Sequence, residues 1–455
     1  MFSNFYFDLV SIGLPISIQH LVISSGSLVD NLMVGNYGES AIASVGAIDK
    51  FVRIFWFVVF GVSGAGSNFV AQAHARKDMK KLGNIVGVIL GINLLTALIF
   101  TLLSLLFPKE IVSMVTDNDE VRIIAGDYLF YLSLSYIPSV LSTTITYTLR
   151  GIKRTKLILY SSLIFVFFNV MLNYLLIFGN SYIPALGVNG AALATVLSKV
   201  VETLFSISYL YFADLKIFEK FSDLMGASFD LMKRIVLTSI PFGISSGLLS
   251  AGLFTYQIFL KGLGVEALAS YAIITNLESF IMNLFHGLSG GTSILLSQDM
   301  GKENYDLAYT NAKKSLKIST LFSIIFSTLL FLCSGWVVGQ YMNLVSIAKG
   351  SSSTNTSVEM CVFLLRTFAI FLPFKVFNLV SLSGVVKSGG DTAALMVIEN
   401  ISIWIFGIPI LYLISYFPSY TLYLAYFIIS GEEVVKAVLC LWRVRSLKWQ
   451  RNLVK

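Results

Sequence analysis

An aspartate inside a long apolar run is the residue of this sequence best able to do chemistry. Asp30 lies near the end of the apolar stretch 9–34. A charged side chain at a helix centre in a bilayer costs at least about 2.5–3.5 kcal/mol, so each one marks a functional site by default. Asn169 and Asn173 fall in a second apolar run at i, i+4 spacing, which puts both amides on one helix face. Thr195 lies at similar depth in a third. Four oxygen-bearing side chains from three helices would thus share one layer. A hard cation such as Na⁺ binds several oxygens, and a carboxyl group drawn out of water holds its proton more tightly. The layer therefore suits Na⁺ or a proton. The same groups could instead form a hydrogen-bond network between helices.

The other intramembrane charges come in combinations. Glu278 reads either as a second cation or substrate carboxylate or as an ion-pair partner of Lys375. Lys199 and Glu202 correspond to Glu433 and Lys436 at an offset of 234, with the signs reversed. Each is an i, i+3 pair, which reads as a local salt bridge or as part of a switch network. Asp49 and Arg53 form an i, i+4 pair expected to line or cap a cavity. Glu399 and Glu432 are further acids within apolar runs. Gln19 is a cavity candidate beside His20, which reads as a satisfied polar residue or a proton relay. Pro15 and Pro241 lie inside apolar helices, where each removes a backbone donor and makes a hinge candidate. Cys333, Cys361 and Cys440 show neither metal spacing nor a disulfide framework. No HExxH, serine elbow or phosphate loop is present, so neither an enzyme nor a resident cofactor is expected.

The elements that must hold these residues are transmembrane helices. The composition is 56% hydrophobic and only 13% charged, against about 25% charged in soluble domains. Runs of roughly 18 or more apolar residues mark spans. They predict twelve, at 9–34, 43–73, 84–107, 122–148, 157–179, 188–213, 235–260, 269–297, 318–338, 358–386, 393–414 and 421–442. Alternate loops on one side carry twenty-two Lys and Arg, and those on the other carry only Lys109, Lys261 and Lys349. That asymmetry predicts a multi-pass protein of the cytoplasmic membrane with both termini in the cytoplasm. The net charge of +7 then reflects topology and not nucleic-acid binding. The first helix lacks a small-residue cleavage site and reads as retained.

The second half repeats the first. At an offset of 226, Pro15, Gly26, Gly38, Gly61, Gly64, Ser67 and Gln72 match Pro241, Gly252, Gly264, Gly287, Gly290, Ser293 and Gln298. A duplicated unit of six spans predicts two similar helical bundles related by a pseudo-twofold axis along the membrane normal, with the substrate pathway between them. The expected division is an N-terminal lobe 1–213, a cytoplasmic linker 214–234 of amphipathic pattern, and a C-terminal lobe 235–455 with a basic tail. GVSGAGS (61–67) and GLSGGTS (287–293) predict close helix crossings. Ser351–Thr356 reads as an external loop.

Several segments carry a family resemblance. The run Pro15–Ala47, the glycine-rich second span ending in VAQA, the segment NVMLNYLLIFG…LGVNGAALAT (169–195) and the pair LRGIK / SGVVKSGGDT resemble multidrug and toxic compound extrusion (MATE) transporters. The resemblance implies a two-lobed transporter, not an enzyme, that exchanges cytoplasmic organic compounds for external H⁺ or Na⁺ by alternating access. Those compounds are often cationic and amphipathic, and the 36 Phe, 21 Tyr and 12 Met could line a promiscuous cavity. Small organic substrates and lipids are the expected partners, and the chain reads as a monomer. Some branches place an aspartate where Asn173 stands, which leaves Asp30 as the main ion-coupling carboxylate here. Another branch has its ion site in the second lobe, with an acid in the tenth span; here Lys375 lies there instead. The alternative is a flippase for lipid-linked precursors, which would need a cationic cavity.

Overall fold

Hydrocarbon offers no partner to a peptide group, so an apolar chain must bond its own N–H and C=O groups within helices. The computed structural model describes residues 3–212, 224, 226–349, 355–417 and 420–455. Among these residues the regular elements are all helical. They are α1 (Ser3–Gly35), α2 (Glu39–Ala75), α3 (Met79–Leu106), α4 (Pro108–Ser113), α5 (Asp119–Ser133), α6 (Tyr136–Gly151), α7 (Thr155–Phe178) and α8 (Val188–Phe212). The second half has α9 (Phe229–Lys261), α10 (Val265–Gly301), α11 (Tyr305–Lys349), α12 (Asn355–Leu379), α13 (Thr392–Ile401), α14 (Ile408–Ile414) and α15 (Leu422–Arg445). Among the described residues, nine helices, with α13 and α14 taken as one, are long and apolar enough to cross a membrane, and ten if α5 and α6 form one bent span. With α2 and α15 they make up the twelve helical segments expected from the sequence.

Three expected spans are not simple helices. The stretch 122–148 is broken into α5 and α6, which meet at 50°. Pro138 stands third in α6, where the missing N–H costs no helical bond, so the chain restarts its helix there. The tenth and eleventh spans each contain a π-helical turn, Val380–Val386 after α12 and Ser402–Gly407 between α13 and α14. Such turns re-aim side chains and cluster at functional sites.

The repeat extends to backbone detail. Gly38 and Gly264 precede α2 and α10 at φ of 96° and 95°, values that side chains with a Cβ avoid.

The chain forms two compact units. One comprises Met1–Ser17 and Ile244–Asn452, the other Ile18–Gly243 and Leu453–Lys455. Both boundaries inside the helical body fall within single helices, α1 and α9, two residues beyond Pro15 and Pro241. The units thus do not follow the linear division at 214–234: each takes in the opening half of a helix whose remainder lies in the other. In the first unit, Leu9, Ile12 and Ile16 pack on Ile294 and Leu295. In the second, Leu231 and Ile235 enter a core with Phe69, Val70, Leu82 and Leu149.

The glycine motifs make these half-helix crossings. A Cβ on Gly287 would strike the Gly13 carbonyl oxygen and Ser17 Oγ. The Ser17 hydroxyl donates across the same crossing to the Leu284 carbonyl at 2.5 Å. In the other unit, a Cβ on Gly61 would meet Gly243 Cα at 3.3 Å and the Ser239 carbonyl at 3.4 Å. Gly13 and Ser17 correspond to Ser239 and Gly243 at the 226 offset, so one crossing is built twice. The amphipathic stretch expected in 214–234 lies outside the described residues at 213–223 and 225. The expected Ser351–Thr356 loop lies outside them up to residue 354, and α12 opens at Asn355.

Candidate functional site

In the unit Ile18–Gly243, α1 and α7 bring Asp30 against the two asparagines. The Asn173 amide donates to Asp30 Oδ1 at 2.5 Å. The Asn169 amide, oriented with its nitrogen toward the carboxylate, donates to both Asp30 oxygens at 2.8 and 3.0 Å. Asn169 and Asn173 are 2% and 1% exposed, while Asp30 is half-buried. The buried Asn173 Oδ1 has no hydrogen-bond partner. This carboxylate is therefore clasped by amide groups. To hold Na⁺ the cluster would have to turn amide oxygens inward. Thr195 takes no part in the clasp, because its hydroxyl donates to the Ala191 carbonyl at 3.0 Å, one turn back on α8.

The unit Met1–Ser17 with Ile244–Asn452 holds a second polar centre, a cavity of about 310 Å³. Six charged side chains line it: Glu278 from α10, Lys375 from α12, Glu399 from α13, and Glu432, Glu433 and Lys436 from α15. Lys375 Nζ lies 2.8 Å from Glu278 Oε2, and the Tyr426 hydroxyl donates to the other Glu278 oxygen. Lys436 lies 3.1 Å from Glu433 and 3.9 Å from Glu432. The Asn378 amide donates to the Glu433 carboxylate at 2.7 Å and to its carbonyl at 2.8 Å. The Tyr256 hydroxyl donates to Glu432; this contact passes over Gly407, in the π-helical turn, where a Cβ would collide with both groups. Glu399 accepts a hydrogen bond from the Ser245 hydroxyl at 2.5 Å.

The remaining candidates have partners of their own. Gln19 accepts from Arg150 Nη2 at 2.8 Å, and the guanidinium also lies 4.7 Å from the Tyr147 ring centroid. Lys199 pairs with Glu202 at 2.8 Å and sits 3.8 Å from the centroid of the Phe165 ring. Asp49 and Arg53 pair at 2.7 Å on an exposed stretch of α2. The i, i+3 and i, i+4 pairs and the Glu278–Lys375 pair are thus the contacts their spacing or chemistry suggests. Sequence reasoning did not single out Ser245, Tyr256, Asn378 or Tyr426, and it named Glu399 without assigning it to a site. Asn378 had a signal, since it stands three residues beyond Lys375 on the same helix face. The others are hydroxyls that meet their carboxylates across 148–176 residues of sequence.

The chain is similar to known proteins over nearly its whole length. A family model named MatE matches residues 15–175 and again 241–413, the second match starting 226 residues after the first. The uncharacterized transporter YisQ of Bacillus subtilis is 24% identical over 97% of this chain and 95% of its own. The probable multidrug resistance protein NorM of Thermotoga maritima is 22% identical over 98% and 94%. Among solved structures, MATE in complex with MaL6 superposes with a TM-score of 0.87 at 18% identity, covering 97% of this chain and 96% of that one. An outward-facing multidrug resistance MATE transporter of the MOP superfamily gives 0.86 at 19%, with the same coverage.

Proposed function

The chain belongs to the MatE family of membrane transporters, and from that premise we propose that it exports amphipathic, often cationic, organic compounds in exchange for protons bound at Asp30. The observation that carries the reading is the carboxylate clasped by Asn173 and Asn169 within apolar helices. A proton needs only the carboxylate, whereas Na⁺ needs several inward-facing oxygens. Here the amide nitrogens face the acid. That favours H⁺ over Na⁺ as the coupling ion.

Each cycle would protonate Asp30 from outside, carry the proton inward as the units rearrange, and release it to the cytoplasm. Pro15 and Pro241 are the hinges in this reading, and their support is the change of unit two residues beyond each. The positive side of the loops would be cytoplasmic, with both termini on it, in the cytoplasmic membrane. A cargo carrying pyrophosphate fits less well. Such a cargo needs open cations, and Lys199, Lys375 and Lys436 are each bound to a carboxylate.

The test is transport in proteoliposomes with pH and Na⁺ gradients imposed separately. A pH gradient alone should drive export of a fluorescent organic cation, and a Na⁺ gradient alone should not. Asp30→Asn should abolish pH-driven export while leaving the unfolding temperature within a few degrees. Wild-type export rates in Asp30→Asn would exclude Asp30 as the coupling acid, and export driven by Na⁺ alone would replace the proton.

A further inference from the structure

The basic tail that follows α15 is packed down, and its two stretches are seated separately. The first seat belongs to the unit Met1–Ser17 with Ile244–Asn452. Trp449 is 0% exposed, and its indole N–H donates to the Val444 carbonyl at 3.0 Å. Its own carbonyl oxygen lies over Gly389, where a Cβ would collide with it. Gln450 Nε2 donates to the Tyr305 carbonyl at 2.7 Å. Arg443 Nε and Arg451 Nη2 reach the two oxygens of the buried Asp391 at 2.7 and 3.4 Å.

The second seat belongs to the unit Ile18–Gly243 with Leu453–Lys455. Val454 is 1% exposed, in a core with Leu82, Ile85 and Leu231. The Leu453 N–H donates to Gln72 Oε1 at 2.7 Å. Lys81 Nζ donates to the Val454 carbonyl, and Arg234 Nη1 donates to the Lys455 carbonyl at 2.5 Å. This seat is the weaker one. It buries a valine where the first buries an indole, and burial stabilises in proportion to apolar area. Leaving the first seat would also take Arg451 from a buried carboxylate.

The tether between the seats is short. Trp449 and Leu453 are four residues apart, a reach of at most about 14 Å fully extended. With both seats filled, their attachment points cannot part beyond that reach. We propose that residues 449–454 form a strap joining the units on the side of the basic loops, and that Val454 leaves its seat whenever that side opens. The inference rests on the units rearranging during transport, as proposed above, and not on Asp30 or the proton.

The experiment uses the full chain in proteoliposomes, with the exposed Cys333 replaced (Cys333→Ala). A short bismaleimide links Lys81→Cys to Lys455→Cys, two positions that line one cavity, and so keeps Val454 seated. A matched link between Asp306→Cys and Gln450→Cys pins the first seat instead. The Lys81–Lys455 link should slow export of a fluorescent organic cation at least about tenfold relative to the same variant unlinked, and the Asp306–Gln450 link less than about twofold. Undiminished export with Lys81 and Lys455 linked overturns the proposal. Equal losses from both links do so too, because the first seat would then also be releasing. Hydrogen exchange supplies a measure that needs no transport. The Leu453 N–H is bonded to Gln72 and the Gln450 N–H to the Leu447 carbonyl, at 2.7 and 3.0 Å. Leu453 should nonetheless exchange at least about tenfold faster, and the Lys81–Lys455 link should remove that difference. Equal protection of the two in the unlinked protein overturns the strap. A protein that exports nothing yet shows the difference counts against the proposed function and supports the strap.

Discussion

Gly287→Ala tests whether the duplicated crossing is as tight as its geometry implies. The added methyl would overlap the Gly13 carbonyl oxygen and Ser17 Oγ. Both belong to the opposing helix, and the carbonyl is backbone that no rotamer change can move. The helices must separate, which costs about 1–3 kcal/mol as overpacking. Separation also breaks the bond from Ser17 to the Leu284 carbonyl, 2.5 Å long, at about 0.5–1.5 kcal/mol. Alanine's preference for helix over glycine returns about 0.5–1 kcal/mol. The net is a loss of about 0.5–4 kcal/mol. Gly61→Ala is the internal control. Its methyl would meet Gly243 Cα at 3.3 Å and the Ser239 carbonyl at 3.4 Å, contacts that a few tenths of an ångström relieve, so its net effect should stay within about 1 kcal/mol of zero. Thermal unfolding in one detergent should place Gly287→Ala several degrees below wild type and Gly61→Ala close to it. Equal unfolding temperatures for the two variants would refute the reasoning, since the positions are equivalent in sequence and differ in how closely the opposing helix approaches.

Lys436→Met should destabilise the protein by about 3–5 kcal/mol, because it leaves Glu432 and Glu433 buried without their base; adding Glu433→Gln should recover part of that loss in the same unfolding assay. Thr195→Val should change pH-driven export by less than about twofold, since the hydroxyl serves only its own helix; a tenfold loss would return Thr195 to the ion site. A cysteine at Asn118, exposed at the start of α5, should react with an impermeant maleimide in intact cells, and one at Lys80 should not. The reverse labelling pattern would invert the topology.

Hydropathy and repeat spacing made the helices legible, because both follow from local sequence. The glycine runs announced close crossings, since small residues in apolar helices have few other uses. Their partners were not legible. Nothing in 61–67 says that its neighbour is the opening half of α9, which only the packed structure decides. Asp30 with Asn169 and Asn173 could be grouped by depth and helix face. Thr195 met the same criterion, yet its hydroxyl had a nearer acceptor one turn back. Depth alone does not report how a rotamer is satisfied. Glu399 with Ser245 and Glu432 with Tyr256 meet across 154 and 176 residues, so no local pattern could pair them. The π-helical turns likewise hold Gly384 and Gly407, whose close neighbours, Thr292 and Tyr256, come from distant segments.

The exchange of half-helices between the units has a consequence for biosynthesis. When the first seventeen residues leave the ribosome, the surface that will receive them does not yet exist. Gly13 must wait for Gly287, some 270 residues later in synthesis. The earlier unit is likewise unfinished until α9 begins, because Leu231 and Ile235 complete its core. A gene cut between the repeats would therefore yield two fragments, each missing a piece held by its sibling. Neither should mature alone, and co-expression should rescue both.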